Sequence, residues 1–403
     1  ELTRLCGRVL WRDFQSPPVK ATSFSWLVVF YVSNMRVLVL NCGSSSVKFA
    51  VIDTDSGVAS VSGSVEEIGV SARLKAEKSG EVYKKGVDAP NHSHALAVIQ
   101  NFLIEAGEDQ GIAAVGHRVV HGGEKFSKSV LIDSEVLKVI EECSVLAPLH
   151  NPPNLQGIAA AQKNFPDLAQ VAVFDTAFHR NMPRYAYLYG LPYPLYEEYK
   201  IRRYGFHGSS HRFVAKKTAE LLGKSPEELC LIIAHLGNGC SAAAVKFGES
   251  VDTTLGLTPM EGMVMGTRSG SIDPGIVLHL NKSLGYDFDG LSKLLNKASG
   301  LLGLSGISSD MRILLEKADA GEERAKIAIE VFCYRAAKEI ASLMPALPRV
   351  DFLVFTGGIG ENSEPVRSKI LAHLEIFKLN VLIVPTNEEL LIAMDTEEVF
   401  SHA

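Results

Sequence analysis

A chain of 403 residues, 46% hydrophobic and 21% charged, has the composition of an ordinary globular protein and is longer than one hydrophobic core usually supports, so two domains are expected. A formal charge of −6 without any Lys/Arg run argues against a nucleic-acid-binding surface and points to small-molecule partners. Six cysteines (Cys6, Cys42, Cys143, Cys230, Cys240, Cys333) show no C-x-x-C spacing. They read as small buried hydrophobes of a reducing compartment, neither a disulfide framework nor a zinc site.

Residues 1–34 carry Arg4, Arg8, Arg12 and Lys20 against Glu1 and Asp13, then an apolar run at 24–32 too short to span a bilayer. They read as an N-terminal extension outside the fold, either upstream sequence or an organellar transit peptide, whose Arg-rich, acid-poor character they share in part. No other stretch reads as transmembrane, and a cytoplasmic location is expected, organellar if the extension is a genuine transit peptide.

From Met35 the pattern alternates apolar runs with helical periods, the signature of an α/β protein. MRVLVLN and SVKFAVID read as a hairpin pair, HALAVIQNFLIEAG as a helix, and IAAVGHRVV and QVAVFD as buried strands. A Pro-rich stretch, 183–194, is the best linker candidate. A second cycle follows: LCLIIAHLG, SAAAVKFG and ESVDTTLG as strands, helices around 273–280 and 288–297, a long helical period at 322–344, and DFLVFTGGIG as a strand entering a glycine turn. A helix started by Thr386 or Asn387 comes near the end.

The two cycles share a device. LNCGSSSVKFA (40–50) is echoed by LGNGCSAAAVKFG (236–248), each an apolar strand, Asn, Gly, small residues and Val-Lys-Phe. Such a turn lets backbone N–H groups and Ser oxygens close around an anion, and two of them imply a polyphosphate held between two halves.

Further candidates lie between and beyond these turns. Arg118 interrupts a buried apolar strand, where an unpaired guanidinium is costly, so it must meet an anion; the flanking His117 and His121 read as structural. His150 sits among prolines on a rigid turn, and Asp175 ends a strand, where ligands of α/β sheets are met. His207 precedes a helix capped by Ser209 or Ser210, placed to donate to a phosphoryl oxygen, whereas His211 and Arg212 read as surface residues. Arg268 lies in the glycine-rich loop 252–275, either forking onto a ligand or tied down by a carboxylate such as Asp273. Asp310 reads as a cap, or with Arg312 as a contact to adenine or ribose. The turn 356–362 offers adjacent glycines against which a flat base can lie, with Ile359 as an apolar wall.

Taken in order, NCGSSSVKF, GHRVVHGG, LAPLHNPPN, FDTAFH, YGFHGSSH, HLGNG, TPMEGMVMGTRSGSIDPG, GISSDMR, TGGIGEN and PTNEE resemble the acetate kinase family, within the superfamily of acetate and sugar kinases, heat-shock chaperone ATPases and actin. The resemblance covers nearly everything after Met35. It implies a duplicated ribonuclease-H-like (actin-like ATPase) fold, with two lobes and a nucleotide cleft between them. The first lobe would be 35–183 joined by the C-terminal helix 386–403, and the second 184–385.

The resemblance further implies Mg²⁺- or Mn²⁺-dependent phosphoryl transfer between ATP and acetate, giving acetyl phosphate and ADP in a homodimer. Asn41 and Asp395 would help hold the metal, with Ser44, Ser46 and Lys48 completing the first phosphate turn. Arg118 and Arg268 would bracket the acetate carboxylate and the migrating phosphoryl group, Asp175 would be the acidic residue beside acetate, and His207 would stabilise the transition state. His150 and Asn238, with Gly239, would line the phosphate path. Asp310, Arg312, Gly358, Ile359, Gly360 and Asn362 would receive adenosine, and Val120, Leu149, Phe206 and Pro259 would wall the methyl pocket. Two departures stand out: Asp395 where relatives often carry Glu, and a shorter stretch between Asn362 and Pro385. Propionate as acceptor, pyrophosphate as donor, and an actin-like ATPase without an acyl acceptor remain the competing readings.

Overall fold

The computed structural model describes residues 35–403; the expectations for residues 1–34 lie outside the described residues. The first sheet begins with β1 (Arg36–Cys42), whose leucines and valines are buried almost without interruption because both faces of the strand are covered. It pairs antiparallel with β2 (Ser46–Asp53), Asn41 opposite Lys48, and the hairpin continues through β3 (Ala59–Glu66), β4 (Arg73–Lys78) and β5 (Glu81–Gly86). On its other side β1 runs parallel to β6 (Ile112–Val119), and β6 parallel to β8 (Ala169–Phe174). The short β7 (Val130–Leu131) completes the order β5-β4-β3-β2-β1-β6-β8-β7. The strands β3–β5 are absent from the expected elements, and β5, EVYKKG, is exposed throughout, so it carries no apolar signal to read.

The second sheet has the order β11-β10-β9-β12-β13, built from β9 (Cys230–Leu236), β10 (Cys240–Lys246), β11 (Glu249–Thr253), β12 (Phe352–Thr356) and β13 (Val381–Ile383). Its pairings match β3-β2-β1-β6-β8 strand for strand: antiparallel on one side of the centre, parallel on the other. The duplication read from the two turns is therefore a duplication of whole sheets. It is not residue-perfect: Phe49 is buried within β2, whereas Phe247 leaves its strand at φ 53° to turn toward β11. The short segment before Pro385 still holds a helix, Glu364–Leu374, and β13, so the second sheet reaches five strands.

Each sheet is covered on both faces. Helices His92–Glu105 and Asn151–Asn164 bury Leu96, Ile99 and Ala161 against one face of the first sheet, and Ile392 and Ala393 of helix Glu388–Ser401 cover the other. Helix Glu323–Ser342 sends Ile329, Phe332 and Ile340 into the second sheet, whose opposite face receives Val214, Ala215 and Ala219 of helix Gly208–Leu222. Helices Gly208–Leu222 and Glu388–Ser401 pack on each other between the sheets. The latter approaches β6 so closely that a Cβ on Gly116 would lie 2.4 Å from Thr396 Oγ1, which only glycine avoids.

Candidate active site

Parallel strands β6 and β8 end side by side, and the chemistry starts there. Arg118 of β6 forks onto Asp175, just past β8, with Nε to Oδ1 at 3.2 Å and Nη2 to Oδ2 at 2.5 Å. Its Nη1 also reaches Asn41 Oδ1 at 3.4 Å, and Glu388 Oε2 lies 3.9 Å from Nε. Burial works against the Arg118 charge, yet Asp175 and Glu388 more than offset it and hold the group above its ordinary value. Burial pushes Asp175 upward against the pull of Arg118, and Glu388 is likewise raised by burial. Two carboxylates thus share one guanidinium.

Helix Gly208–Leu222 starts against this pair. The Gly208 N–H donates to the Asp175 carbonyl at 2.9 Å, and a Cβ on Gly208 would sit 2.2 Å from that oxygen. His207 precedes the helix in the left-handed region, φ 56°, a conformation costly for a residue with a Cβ and recurrent at ligand sites. It makes no capping bond, and Ser209 and Ser210 lie inside the first turn. The His207 ring stacks on His235, centroids 4.6 Å apart, and its Nδ1 hydrogen bonds Ser241 at 3.0 Å. The opposite edge faces the turn between β9 and β10: a Cβ on Gly239 would lie 3.2 Å from His207 Nε2 and 3.9 Å from Arg268 Nη1.

Arg268 comes from the loop after β11. Its Nη1 donates to the Pro259 carbonyl at 3.1 Å, burial holds its value down, and no carboxylate among the described residues pairs with it. Asp273, the alternative partner, caps helix Pro274–Leu284 through Gly275 N–H. His150, the residue before helix Asn151–Asn164, is lowered by burial and then by the charges of Arg268 and Arg118. His207 is pressed well down by burial, by its neighbours His235 and His211, and by both arginines. Both guanidinium charges thus act on His150 and His207, and Arg268 and His207 converge on Gly239. Asn238, exposed beside Gly239, is held by the Gly266 N–H bonding its carbonyl at 3.0 Å.

A cavity of about 610 Å³ opens from this second turn and is lined by Asn238, Asp310, Arg312, Gly358, Ile359 and Asn362 among others. Gly360 is buried beneath it in helix Gly357–Asn362. Asp310 caps helix Met311–Asp319 and pairs with Arg312, which holds its carboxyl at about 2. In the first turn Ser44 and Lys48 are exposed and Ser46 is half-buried, while Gly43 N–H closes onto the Ser46 carbonyl. Val120 and Phe206 are buried in one apolar cluster and Pro259 is half-buried, but Leu149 is 59% exposed and does not share that burial.

Three expectations need correction. Asp395 is not presented to the cleft: its carboxylate accepts hydrogen bonds from Arg212 and from Ser129, the latter at 2.6 Å. It lies seven residues, two helical turns or about 10 Å, beyond Glu388, the acid that reaches Arg118. His211 is fully buried and Arg212 is ion-paired, so neither is a surface residue; helix Gly208–Leu222 is covered by the second sheet on one side and by helix Glu388–Ser401 on another. Glu388 was missed because solvated carboxylates crowd that helix, although PTNEE already placed it in its first turn.

Duplicated sheets, each opened by the same glycine-bearing hairpin, with Arg118 and Arg268 both acting on His207, mark a phosphotransferase of the actin-like ATPase class. The sequence matches the acetokinase family over residues 36–381, and the chain belongs to that family. It is 51% identical to an acetate kinase of Shewanella amazonensis, aligned over 91% of this chain and 98% of that protein. Among solved structures it is similar to acetate kinase from Porphyromonas gingivalis (TM-score 0.87, 42% identity) and a propionate kinase from Francisella tularensis (TM-score 0.86, 43% identity), each over 91% of this chain and 100% of the other.

Proposed function

We propose that this protein catalyses reversible phosphoryl transfer from ATP to acetate, giving acetyl phosphate and ADP by direct in-line transfer. The observation that carries the reading is Arg268, a largely buried cation with no carboxylate partner among the described residues, converging with His207 on a bare glycine in the second turn. Such a charge is stable only beside an anion that is part of the working state. Acetate is already a nucleophile at neutral pH, so no base is needed and the task is to bring two anions together.

In this reading the first-lobe turn with Ser44, Ser46 and Lys48 and the second-lobe turn with Asn238 and Gly239 hold the polyphosphate. The 610 Å³ cavity takes adenosine. Arg118, fixed by Asp175, meets the acetate carboxylate; Arg268, His207 and His150 meet the migrating phosphoryl group. Val120, Phe206 and Pro259 wall the methyl group. Asn41 and Glu388 supply hard oxygen donors for Mg²⁺ or Mn²⁺, and the described residues contain no cluster of three metal-ligating side chains, a donor set that suits a cation carried largely by phosphate and water. Bound there, a divalent cation neutralises charge on the phosphates. The lobes divide as 35–183 with 386–403, and 184–385.

Apolar Leu278, Leu284 and Phe288 stand 72%, 62% and 82% exposed on helices Pro274–Leu284 and Phe288–Lys297, which supports burial in a homodimer. Among the described residues no helix is long and apolar enough to cross a membrane, and five buried free cysteines suit the reducing cytoplasm. A hydroxamate assay with acetate, ATP and Mg²⁺ tests donor, acceptor and competence together; turnover of ATP without acyl phosphate overturns the proposal. Propionate is the second reading, since one methylene changes discrimination by only about 1–3 kcal/mol.

A further inference from the structure

His207 is held as a neutral ring, so it carries a single N–H, and which nitrogen bears it decides whether the ring offers phosphate a donor or a repelling lone pair. The second nitrogen is not idle. His207 Nδ1 meets Ser241 Oγ at 3.0 Å, and the same oxygen meets His211 Nε2 at 2.8 Å. Ser241 and His211 are both fully buried. His211 Nδ1 is buried with no hydrogen-bond partner among the described residues.

That orphan nitrogen fixes the direction of the whole chain. A serine hydroxyl can accept twice but has one proton, so a buried one between two imidazoles satisfies that proton only by donating to one ring while accepting from the other. Were the His211 proton on Nδ1, a buried N–H would stand unsatisfied, the rarer and costlier fault. With the proton on Nε2, His211 donates to Ser241, Ser241 donates to His207 Nδ1, and the His207 proton must sit on Nε2, the atom aimed at Gly239.

We propose that Ser241 and His211 are positioning residues that lock His207 in the Nε2–H tautomer, turning it into an obligatory donor toward the phosphoryl group. The Asp175 carboxylate belongs to Arg118, so the imidazole is oriented without a carboxylate and gains no extra basicity from one. The ring thus remains neutral while Arg118 and Arg268 carry the charge. Stacking on His235 and the left-handed backbone of His207 fix the ring plane; the serine fixes the proton.

This inference rests on the assignment of His207 to the phosphoryl path, and one set of measurements separates the two. Long-range ¹⁵N correlation spectra of the full wild-type chain are expected to show His207 protonated on Nε2; a proton on Nδ1 overturns the proposal without any variant. Ser241→Ala is expected to lower kcat roughly 10- to 100-fold while KM for acetate and for ATP stays within about twofold. His211→Leu should match that loss, and His211→Gln, which keeps a donor near the Nε2 position, should recover most of it. Wild-type kcat in Ser241→Ala, or equal loss in both His211 variants, overturns the relay. If His207→Ala itself keeps wild-type kcat, it is the assignment of His207 that fails.

Discussion

Arg118 and Asp175 meet through two hydrogen bonds at the adjoining ends of parallel strands, and the carboxylate in that pair is 1% exposed. The pair joins the Arg118 guanidinium to the first residue of helix Gly208–Leu222, whose N–H donates to the Asp175 carbonyl. Removing the cation therefore does more than remove a ligand contact. Arg118→Ala is expected to abolish acyl phosphate formation and to cost about 3–5 kcal/mol of stability, because Asp175 is left buried and unpaired. Urea unfolding of Arg118→Ala and of Arg118→Ala/Asp175→Asn checks this: the double variant should be the more stable of the two.

Glu388 and Asp395 occupy one helix and carry one charge each, yet their surroundings assign them different work. Glu388→Gln should raise the Mg²⁺ concentration needed for half-maximal rate about 10- to 100-fold with little change in unfolding midpoint. Asp395→Asn should leave the Mg²⁺ dependence alone and lower stability by about 1–3 kcal/mol through the Arg212 pair. Metal titrations of both variants decide it, and a Mg²⁺ effect in Asp395→Asn would restore Asp395 as a ligand.

Gly239 is bare where His207 and Arg268 converge. Gly239→Ala places a methyl group 3.2 Å from the imidazole and 3.9 Å from the guanidinium, in the space proposed for phosphate oxygens. The expected result is a fall in kcat of about 100-fold or more, with denaturant midpoint unchanged. Unchanged kcat would show that the phosphoryl group travels elsewhere.

Val120 is buried with Phe206 in one cluster, and as the proposed wall of the methyl pocket its truncation would add room for a longer acid. Val120→Ala should shift kcat/KM toward propionate relative to acetate by roughly 10-fold, in line with about 1–3 kcal/mol per methylene. Paired assays with the two acids read the ratio directly.

Burial holds His117, His179 and His235 at about 4, each below its ordinary value of 6.5. These groups stay uncharged in the fold while the unfolded chain takes up protons, so they stabilise the fold above pH ~6.5 and that contribution is lost as pH falls toward ~4. Urea midpoints should therefore decline between pH 7 and pH 4. His117→Gln, which removes one such group beside Gln170, should flatten the slope by about one proton.

The sequence by itself determined the periodic elements and the two repeated hairpin turns, because strand alternation, glycine-bearing turns and capping residues act within a few neighbours. Asp310 as a cap and the strands that carry Arg118 and end just before Asp175 were legible on that basis. What only the tertiary structure decided concerns partners distant in the chain. Which acid of the last helix faces the cleft depends on how that helix lies on the first sheet, and Glu388 and Asp395 are indistinguishable until Arg118 and Arg212 have claimed them. His211 reads as a surface residue until β10 brings Ser241 against it across 30 positions. Charge pairing and proton direction are set by atoms within about 3 Å in space, and a linear pattern carries that distance only where the chain itself is local.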